Sequence, residues 1–276
     1  MVNKSKPITP SRRHYQTPDF SVLTKEEPFK PLVKKIKKNA GRNNQGRITS
    51  RFRGGGVKKL YREIDFGEEK INIPGEVKSI EYDPYRSSFI ALVSYKNGAW
   101  GYILAPDGLK VGDEIICAEE APLKIGNRMK LMHFPVGSMV YNIETIPLKG
   151  GKLAKSAGSY AEVLAQEGKY THLRLPSGEV RKVLSSGFAS YGRLSNIEWK
   201  TVSLGKAGRL RLMGFRPTVR GRAMNPVDHP YGGGEGRTQR GTKRPKTIWG
   251  KVTGGRKTRP KKKYSDKLIL QRRKKK

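Results

Sequence analysis

Four histidines and one cysteine are the side chains in this sequence best suited to acid–base or nucleophilic chemistry. His229 directly follows Asp228, and a histidine beside a carboxylate has the composition of a general base. Neighbours in sequence rarely orient each other as the members of a catalytic triad do, and prolines flank this pair. The alternative is that His229 caps a turn or hydrogen-bonds RNA, and we expect that role rather than catalysis.

No motif of a catalytic or metal site accompanies this pair. Gly168 and Gly205 each precede a lysine but lack the upstream glycine of a phosphate-binding loop, and the patterns GxGxxG, HExxH and GxSxG do not occur. The histidines and Cys117 are spread singly along the chain, without metal-ligand spacing. We therefore expect no enzyme activity, no metal or cofactor bound by the protein, and no intramolecular disulfide.

Basic residues dominate the composition: 58 Lys and Arg stand against 23 Asp and Glu, a formal net charge of +35. Residues 1–62 carry a net +14, residues 63–200 are neutral, and residues 201–276 carry +21. A neutral body thus lies between two cationic arms, whose self-repulsion a polyanionic partner would relieve. A solubilising tail or a nuclear-localisation signal is the alternative, but such signals are about five to eight residues long, far shorter than either arm.

Both arms lack the apolar periodicity of a helix or strand. Prolines punctuate the first arm and favour extended chain, and glycines alternate with Arg and Lys in the second. Such segments bury too little apolar surface to offset chain entropy, so we expect them to be disordered until a partner orders them. A single cysteine, no apolar run near the ~18 residues of a membrane span and no apolar signal-peptide core predict an aqueous, reducing compartment.

In the neutral body, short β-rich runs alternate with turn signals. Asn97-Gly98 predicts a hairpin, because both residues tolerate positive φ. A Pro- and Gly-containing break at 122–137 predicts two small barrels that pack together, and a short amphipathic helix is predicted near 206–213. The predicted strands cover residues 77–82, 89–95, 100–104, 114–117, 140–146, 160–166, 169–175 and 179–184.

The predicted fold class is therefore all-β, with two small β-barrels between long extended basic arms. The predicted organisation is an N-terminal arm at 1–62, barrels at 63–125 and 126–200, and a Gly/Arg/Lys-rich C-terminal extension at 201–276. One strand of the second barrel could contact nucleic acid, because alternation would place Tyr170, His172 and Arg174 together on an outer face. A plain solvated face is an equal alternative for this strand by itself.

Arginines and lysines of the arms are predicted to neutralise phosphates, and arginine can clamp a phosphate through two hydrogen bonds. Glycine triplets in each arm would let backbone N–H groups approach phosphate and ribose, unless they serve merely as flexible linkers. The predicted residues are Arg42, Arg47, Arg51, Arg53, Gly54, Gly55, Gly56, Lys58, Lys59 and Arg62 in the first arm, and Arg209, Arg211, Arg216, Arg220, Arg222, Gly232, Gly233, Gly234, Arg237 and Arg240 in the second.

Two long stretches carry a family resemblance. Residues 41–66 read GRNNQGRITSRFRGGGVKKLYREIDF, and residues 205–237 read GKAGRLRLMGFRPTVRGRAMNPVDHPYGGGEGR. Both closely resemble the universal second protein family of the large ribosomal subunit (L-two), of bacterial or organellar type. Supporting stretches at 102–113, 150–161 and 174–183 follow in the expected order.

The resemblance implies an OB-fold barrel, then an SH3-like barrel, with arms in large-subunit (23S-type) rRNA. It also implies contact with other ribosomal proteins and with small-subunit rRNA at an intersubunit bridge, indirect support of tRNA binding, and a C-terminal region near the peptidyl transferase centre. A direct peptidyl transferase role has been proposed for the family, but the chemistry is generally assigned to RNA. We expect a cytoplasmic or organellar ribosome, magnesium held by nearby rRNA, no membrane partner and no homo-oligomer.

The chain departs from the family at Phe52, Val57 and Tyr231, where the family usually has histidine, and Leu212 replaces a tryptophan. Phe52 and Tyr231 could stack on bases instead. His229 matches the family position, Asn225 lies in the same AMNPVDHP stretch, and the resemblance implies that this stretch contacts rRNA.

Two other function classes stay open at this point. A nonspecific nucleic-acid chaperone would bind DNA and RNA with similar affinity, and an enzyme acting on RNA would show turnover with the purified protein. A ribosomal protein would instead bind a defined rRNA fragment stoichiometrically.

Overall fold

A computed structural model of the chain describes residues 2–67, 70–236, 240–255, 257–260 and 262–273. The chain forms two units. Unit 1 comprises Met1–Lys38, Lys58–Lys206 and Ser265–Lys276, and unit 2 comprises Asn39–Val57 and Ala207–Tyr264. Unit 2 therefore combines a part of each predicted arm. Within the described ranges, no helix is long and apolar enough to cross a membrane.

Two short ladders pair parts of the N-terminal arm within unit 1. Strand β1 (Asn3–Lys4) pairs antiparallel with β2 (Gln16–Thr17), and β3 (Val33–Lys35) pairs antiparallel with β4 (Leu60–Arg62). Phe29, just before β3, donates its N–H to Tyr102 Oη at 2.7 Å. These residues of the predicted arm are thus part of the folded unit.

A four-stranded antiparallel sheet follows, in the order β7-β6-β5-β8. Its strands are β5 (Gly75–Glu81), β6 (Ile90–Tyr95), β7 (Trp100–Leu104) and β8 (Glu114–Ile115). Strand β6 is buried on both faces, because Ala91 and Val93 lie in one apolar cluster while Ile90 and Leu92 lie in another. The predicted hairpin is confirmed: Gly98 has φ +80°, and its N–H donates to Tyr95 O at 2.9 Å.

A seven-stranded sheet in the order β15-β13-β12-β11-β10-β14-β9 forms the rest of the β structure. Its adjacent strands are antiparallel, and its main cluster packs Leu131, Val163 and Leu173. The strands are β9 (Arg128–Lys130), β10 (Met139–Tyr141), β11 (Ala161–Glu167), β12 (Tyr170–Arg174), β13 (Val180–Leu184), β14 (Phe188–Tyr191) and β15 (Ile269–Gln271).

The all-β prediction is confirmed, but some strands differ from the prediction. Strand β10 ends at Tyr141 rather than at residue 146, because Asn142 has φ +49° and leaves the extended conformation. Strand β9 lies inside the predicted break, β14 was not predicted, and β15 pairs a piece of the C-terminal arm with β13. Short 3-10 helices occur at Lys30–Leu32, Leu131–His133, Ile197–Thr201, Gly221–Ala223 and Tyr264–Leu268.

A buried ion pair links elements of the seven-stranded sheet. Arg128 Nη2 donates to Glu144 Oε1 at 2.9 Å, and the two side chains are only 6% and 0% exposed. Glu144 Oε2 also accepts the N–H groups of Leu148 and Phe188, each at 3.1 Å. A buried charge is tolerated only when it is paired and hydrogen-bonded, so this carboxylate depends on all three donors.

Unit 2 has a different construction. It contains helix α1 (Ala207–Leu212), which confirms the helix predicted near 206–213. None of its described residues is buried. Turns and backbone hydrogen bonds, rather than an apolar core, therefore define its conformation. Its isolated β-bridges pair Arg42 with Ile48, Arg53 with Phe215, and Lys246 with Val252.

Candidate nucleic-acid interface

Unit 2 brings the two arginine- and glycine-rich stretches of the arms together. Gly54 N–H donates to Gly214 O at 2.8 Å, and Arg216 N–H donates to Phe52 O at 2.9 Å. Val57 N–H donates to Leu212 O at 2.9 Å. Residues 52–57 thus run beside residues 212–216, although about 155 residues of sequence separate them. This pairing concentrates arginines from both arms in one unit.

Aromatic rings hold arginines of this unit in place. The Arg53 guanidinium lies 4.7 Å from the centroid of Phe215. The Arg51 guanidinium lies 5.3 Å from the centroid of Phe52 and 5.7 Å from that of Trp249. Such contacts orient a planar guanidinium without neutralising its charge, which leaves it able to bind phosphate.

The predicted arginines of unit 2 are mostly exposed to solvent. Arg209, in α1, is half-buried. Arg237 lies outside the described residues. The exposed members are Arg42, Arg47, Arg51, Arg53, Arg211, Arg216, Arg220, Arg222 and Arg240. A shared set of exposed guanidinium groups and nearby rings is the composition that binds an RNA backbone and its unstacked bases.

The glycine triplets fit tightly against the protein's own backbone. Gly56 has φ +61°, and a Cβ there would lie 2.7 Å from Leu212 O. A Cβ on Gly232 would lie 2.2 Å from Asn225 O, and Gly233 and Gly234 have φ of +82° and +83°. Glycine is required at these positions by the fold of unit 2 itself. Gly54 and Gly55 are less constrained: both lack a positive φ, and a Cβ on Gly55 would meet nothing within 4 Å.

The hydrogen bonding of His229 suits a hydrogen-bond donor rather than a general base. Its Nδ1 accepts the N–H of Tyr231 at 3.1 Å, so the ring proton lies on Nε2 and Nδ1 cannot donate to Asp228. The ring lies 4.8 Å from the Tyr231 ring and packs against Gly221. Asn225 O accepts the N–H groups of Asp228 and His229 at 3.0 and 3.2 Å, which fixes the turn. Tyr231 Oη in turn accepts the N–H of Lys246.

Six predicted residues lie in unit 1, and two of them are placed differently from the prediction. His172 is 8% exposed, so the prediction of an exposed face through it is wrong; β12 lies between β11 and β13, and Thr171, His172 and Leu173 are all buried. Arg62 is 7% exposed and donates to Leu60 O at 2.9 Å, so its guanidinium is not available to an external phosphate.

The other four residues in unit 1 are accessible to different extents. Lys58 and Arg174 are exposed, and Arg174 donates to Glu162 at 3.0 Å. Tyr170 and Lys59 are half-buried. Sequence reasoning missed Phe215 and Trp249, which contact Arg53 and Arg51. The only sequence signal for them is that each is an aromatic residue close to basic residues.

Two family models match the chain. One, described as "Ribosomal Proteins L2, RNA binding N-terminal domain", matches residues 29–117, and the other, described as "Ribosomal Proteins L2, C-terminal domain", matches residues 124–250. The chain belongs to the ribosomal protein L2 family. The predicted family is thereby confirmed, and with it a structural, RNA-binding role on the ribosome rather than that of an enzyme.

The family also accounts for the β architecture. The L2 fold joins an OB-fold and an SH3-like domain, in agreement with the four-stranded and seven-stranded sheets of unit 1. The two matched ranges include both segments of unit 2 except for residues 251–264. The arginine-rich surface therefore lies within the L2 domains rather than in appended tails.

Proposed function

We propose that the chain is a primary rRNA-binding constituent of the large ribosomal subunit, with 23S-type rRNA bound mainly by unit 2. In this proposal it contacts small-subunit rRNA at an intersubunit bridge, touches other ribosomal proteins, supports tRNA binding indirectly and helps to organise the peptidyl transferase region. Magnesium near the site is held by the rRNA. The ribosome is that of the cytoplasm or of an organelle, and the chain acts as a single copy.

One observation carries this proposal. Unit 2 holds 21 Lys and Arg against 2 Asp and Glu in 77 residues, and none of its described residues is buried. Like charges at this density repel each other, and no apolar core opposes that repulsion. A polyanion that releases counterions on binding supplies the missing stabilisation.

The exposed arginines give affinity, whereas selectivity needs groups that read RNA shape and unstacked bases. Phe52, Tyr231 and Trp249 offer rings for stacking, and the Nε2–H of His229 offers a directed donor. If about 6–10 phosphates are engaged, raising the salt from roughly 50 to 200 mM lowers affinity by about 10³–10⁵.

The test compares binding of the full chain to a large-subunit rRNA fragment and to DNA of equal length across this salt range. The variant R42Q/R47Q/R220Q/R222Q removes four exposed charges from unit 2, and the control K96Q/K110Q/K124Q/K149Q removes four exposed charges from unit 1. We expect the unit 2 variant to lose affinity and salt dependence far more than the control. Equal losses, or equal affinity for DNA and rRNA, would contradict the proposal and favour a nonspecific nucleic-acid chaperone.

In cells, the tagged chain is expected to migrate one-to-one with the large subunit through a sucrose gradient in magnesium, and to resist a high-salt wash. Subunits reconstituted with the unit 2 variant, mixed with intact small subunits, test the bridge. Full association by those subunits would contradict a role of unit 2 in the bridge. It would leave the proposal that unit 2 binds rRNA unaffected.

A further inference from the structure

Unit 1 carries an acidic and apolar surface beside the end of β5, in contrast to the cationic surface of unit 2. Residues 1–62 contain 17 Lys and Arg but three acidic residues, and all three lie within residues 19–27. The same stretch contains exposed apolar side chains, and a tyrosine that follows β5 packs against it. We call this surface the acidic–apolar patch. Its members are Asp19, Phe20, Val22, Glu26, Glu27 and Tyr82.

The apolar members of the patch are open to solvent, although aromatic contacts hold two of them in place. Phe20 is 42% exposed, Val22 52% and Tyr82 41%. The Phe20 ring meets the Tyr82 ring edge to face with centroids 5.8 Å apart, and it lies 6.2 Å from the ring of the buried Phe89. Single exposed apolar side chains are ordinary, but a group of them rimmed by charged residues is typical of a protein–protein contact.

Hydrogen bonds to β5 fix the stretch that carries the patch. Thr24 N–H donates to Ile80 O at 3.0 Å, and Ile80 N–H donates to Thr24 Oγ1 at 2.9 Å. The residue after Thr24 forms a parallel bridge with Glu81, so the next residues along the two chains, Glu26 and Tyr82, lie side by side. The patch is thus preorganised, which lowers the entropy cost of binding a partner.

The carboxylates of the patch are available to a cation. Within the part of the chain that the structure describes, no ion pair engages Glu26 or Glu27, and both residues are exposed. A hydrogen bond from the backbone N–H of Ser21, at 2.9 Å, lowers the pKa of Asp19 and keeps this carboxylate charged. Lys25 is the only basic residue in the stretch, so residues 19–27 carry a net charge of −2 in a chain of +35.

The charge of the patch decides which class of partner it fits. Three carboxylates repel a phosphate backbone, and phosphate contacts supply most of the affinity of a protein for RNA. A second copy of this chain would meet the repulsion between two molecules of charge +35. Proteins that bind rRNA carry basic segments, as this chain does in its arms, and such a segment complements exposed carboxylates.

We propose that the acidic–apolar patch docks a basic segment of a neighbouring protein of the large subunit. An apolar side chain of that segment packs against Phe20 and Val22, and its lysines or arginines pair with Glu26 and Glu27. Exposed ion pairs add little affinity but select the partner and its orientation, so the apolar contact supplies most of the binding. The inference rests on the proposed function, which includes contact with other ribosomal proteins, and it names the surface that makes such a contact.

The first test maps the patch in purified large subunits that contain the full chain. An amino acid with a diazirine side chain is introduced at Val22, because its carbene inserts into protein and RNA alike. We expect it to crosslink to a lysine- or arginine-rich segment of another large-subunit protein, identified by mass spectrometry. The control position is Ile8, which is 71% exposed within residues 6–13, a stretch with three basic and no acidic residues. That position should not crosslink to the same segment.

The second test uses the crosslinked segment as a labelled synthetic peptide and measures its affinity for the full chain by fluorescence anisotropy. E26Q/E27Q removes two charges from the patch and should weaken binding about fivefold, the range expected for two exposed ion pairs. The control E119Q/E120Q removes an adjacent pair of glutamates from unit 1, with side chains 68% and 79% exposed, and should leave the affinity unchanged. Val22→Lys, which puts a cation into the patch, should weaken binding more than E26Q/E27Q.

The outcomes separate this inference from the proposed function. A chain that does not migrate with the large subunit, or does not select rRNA over DNA, contradicts the proposed function. A chain that assembles into the large subunit overturns the patch alone if Val22 crosslinks to rRNA, to a second copy of the chain or to nothing. A peptide that does not bind, or that loses equal affinity in E26Q/E27Q and E119Q/E120Q, would also overturn the patch, because the segment would then not recognise its carboxylates.

Discussion

The two units of this protein are stabilised in opposite ways. Unit 1 has four apolar clusters and carries buried carboxylates such as Glu81 and Glu144, each held by several donors. Unit 2 has none of its described residues buried and combines a net charge of +19 with glycine turns and cation–π contacts. Unit 1 can fold by excluding water, whereas unit 2 lacks that source of stability.

The difference explains why one chain contains both constructions. Unit 1 has the apolar core that a stable body requires, whereas a unit that is completed by its ligand can follow an RNA surface closely. The same reasoning predicts that substitutions in unit 1 change protein stability, whereas substitutions in unit 2 change RNA affinity.

The largest effect is expected at the buried ion pair. Glu144→Ala leaves the Arg128 charge buried without its partner, and should lower the free energy of unfolding by about 3–5 kcal/mol. Urea denaturation measures it. The control is Glu119→Ala, because Glu119 pairs with Lys130 at 2.5 Å but its side chain is 68% exposed, and we expect a change of about 1 kcal/mol or less. Similar losses of unfolding free energy in both variants would contradict the idea that burial makes the Arg128–Glu144 pair important.

The next effect comes from apolar packing. Leu173→Ala empties a fully buried position in unit 1 and should cost about 2–5 kcal/mol. Leu212→Ala removes the same atoms from a residue of unit 2 that is 57% exposed, and should change stability by about 0.5 kcal/mol or less. A loss above 1.5 kcal/mol at Leu212, measured in the same denaturation series, would mean that unit 2 has a core of its own.

A comparable stabilisation of unit 2 should come from its ligand. With free rRNA fragment at about 100 times Kd, mass action stabilises the bound conformation by about 2.7 kcal/mol. Hydrogen exchange of the amides of Gly54, Val57 and Arg216, which bond across unit 2, should therefore slow on RNA addition. If these amides are already as protected as those of β6 without RNA, unit 2 is folded independently of its ligand.

The smallest effect concerns a single thiol. Burial raises the pKa of Cys117 in unit 1 from 9.0 to about 11. The neutral thiol is favoured in the folded state, so its contribution to stability is complete below pH 9 and is lost as the pH rises through about 11. Relative to Cys117→Ala, the wild-type chain should lose free energy of unfolding between pH 8 and pH 11. A constant difference across that range would show that the thiol is as solvated when folded as when unfolded.

Much of unit 1 could be predicted from the sequence, because local sequence patterns mark its strands. Alternating apolar residues and turn signals such as Asn97-Gly98 located the strands of the four-stranded sheet. The missed strands have no such signal: β15 is three residues long within a basic tail, and its pairing with β13 is decided by distant residues. The positive φ of Asn142, which ends β10, likewise has no signal in the apolar run around it.

The functional residues were predictable by type but not by arrangement. Composition identified the arginines of the arms, and the stretches at 41–66 and 205–237 identified the family. Composition could not show that residues 52–57 lie beside residues 212–216, nor that β12 is buried at His172.

The pairing of β15 with β13 changes the topology of the C-terminal extension. With residues 269–271 held in unit 1, residues 207–264 form a closed loop rather than a free tail, as residues 39–57 also do. A free tail can thread through a hole in an RNA that has already folded, but a closed loop cannot. Unless β15 detaches, RNA that encircles the loop at 207–264 must close around it after the protein has folded. For an RNA that encircles this loop, two residue pairs at the edge of a sheet therefore decide the order of assembly.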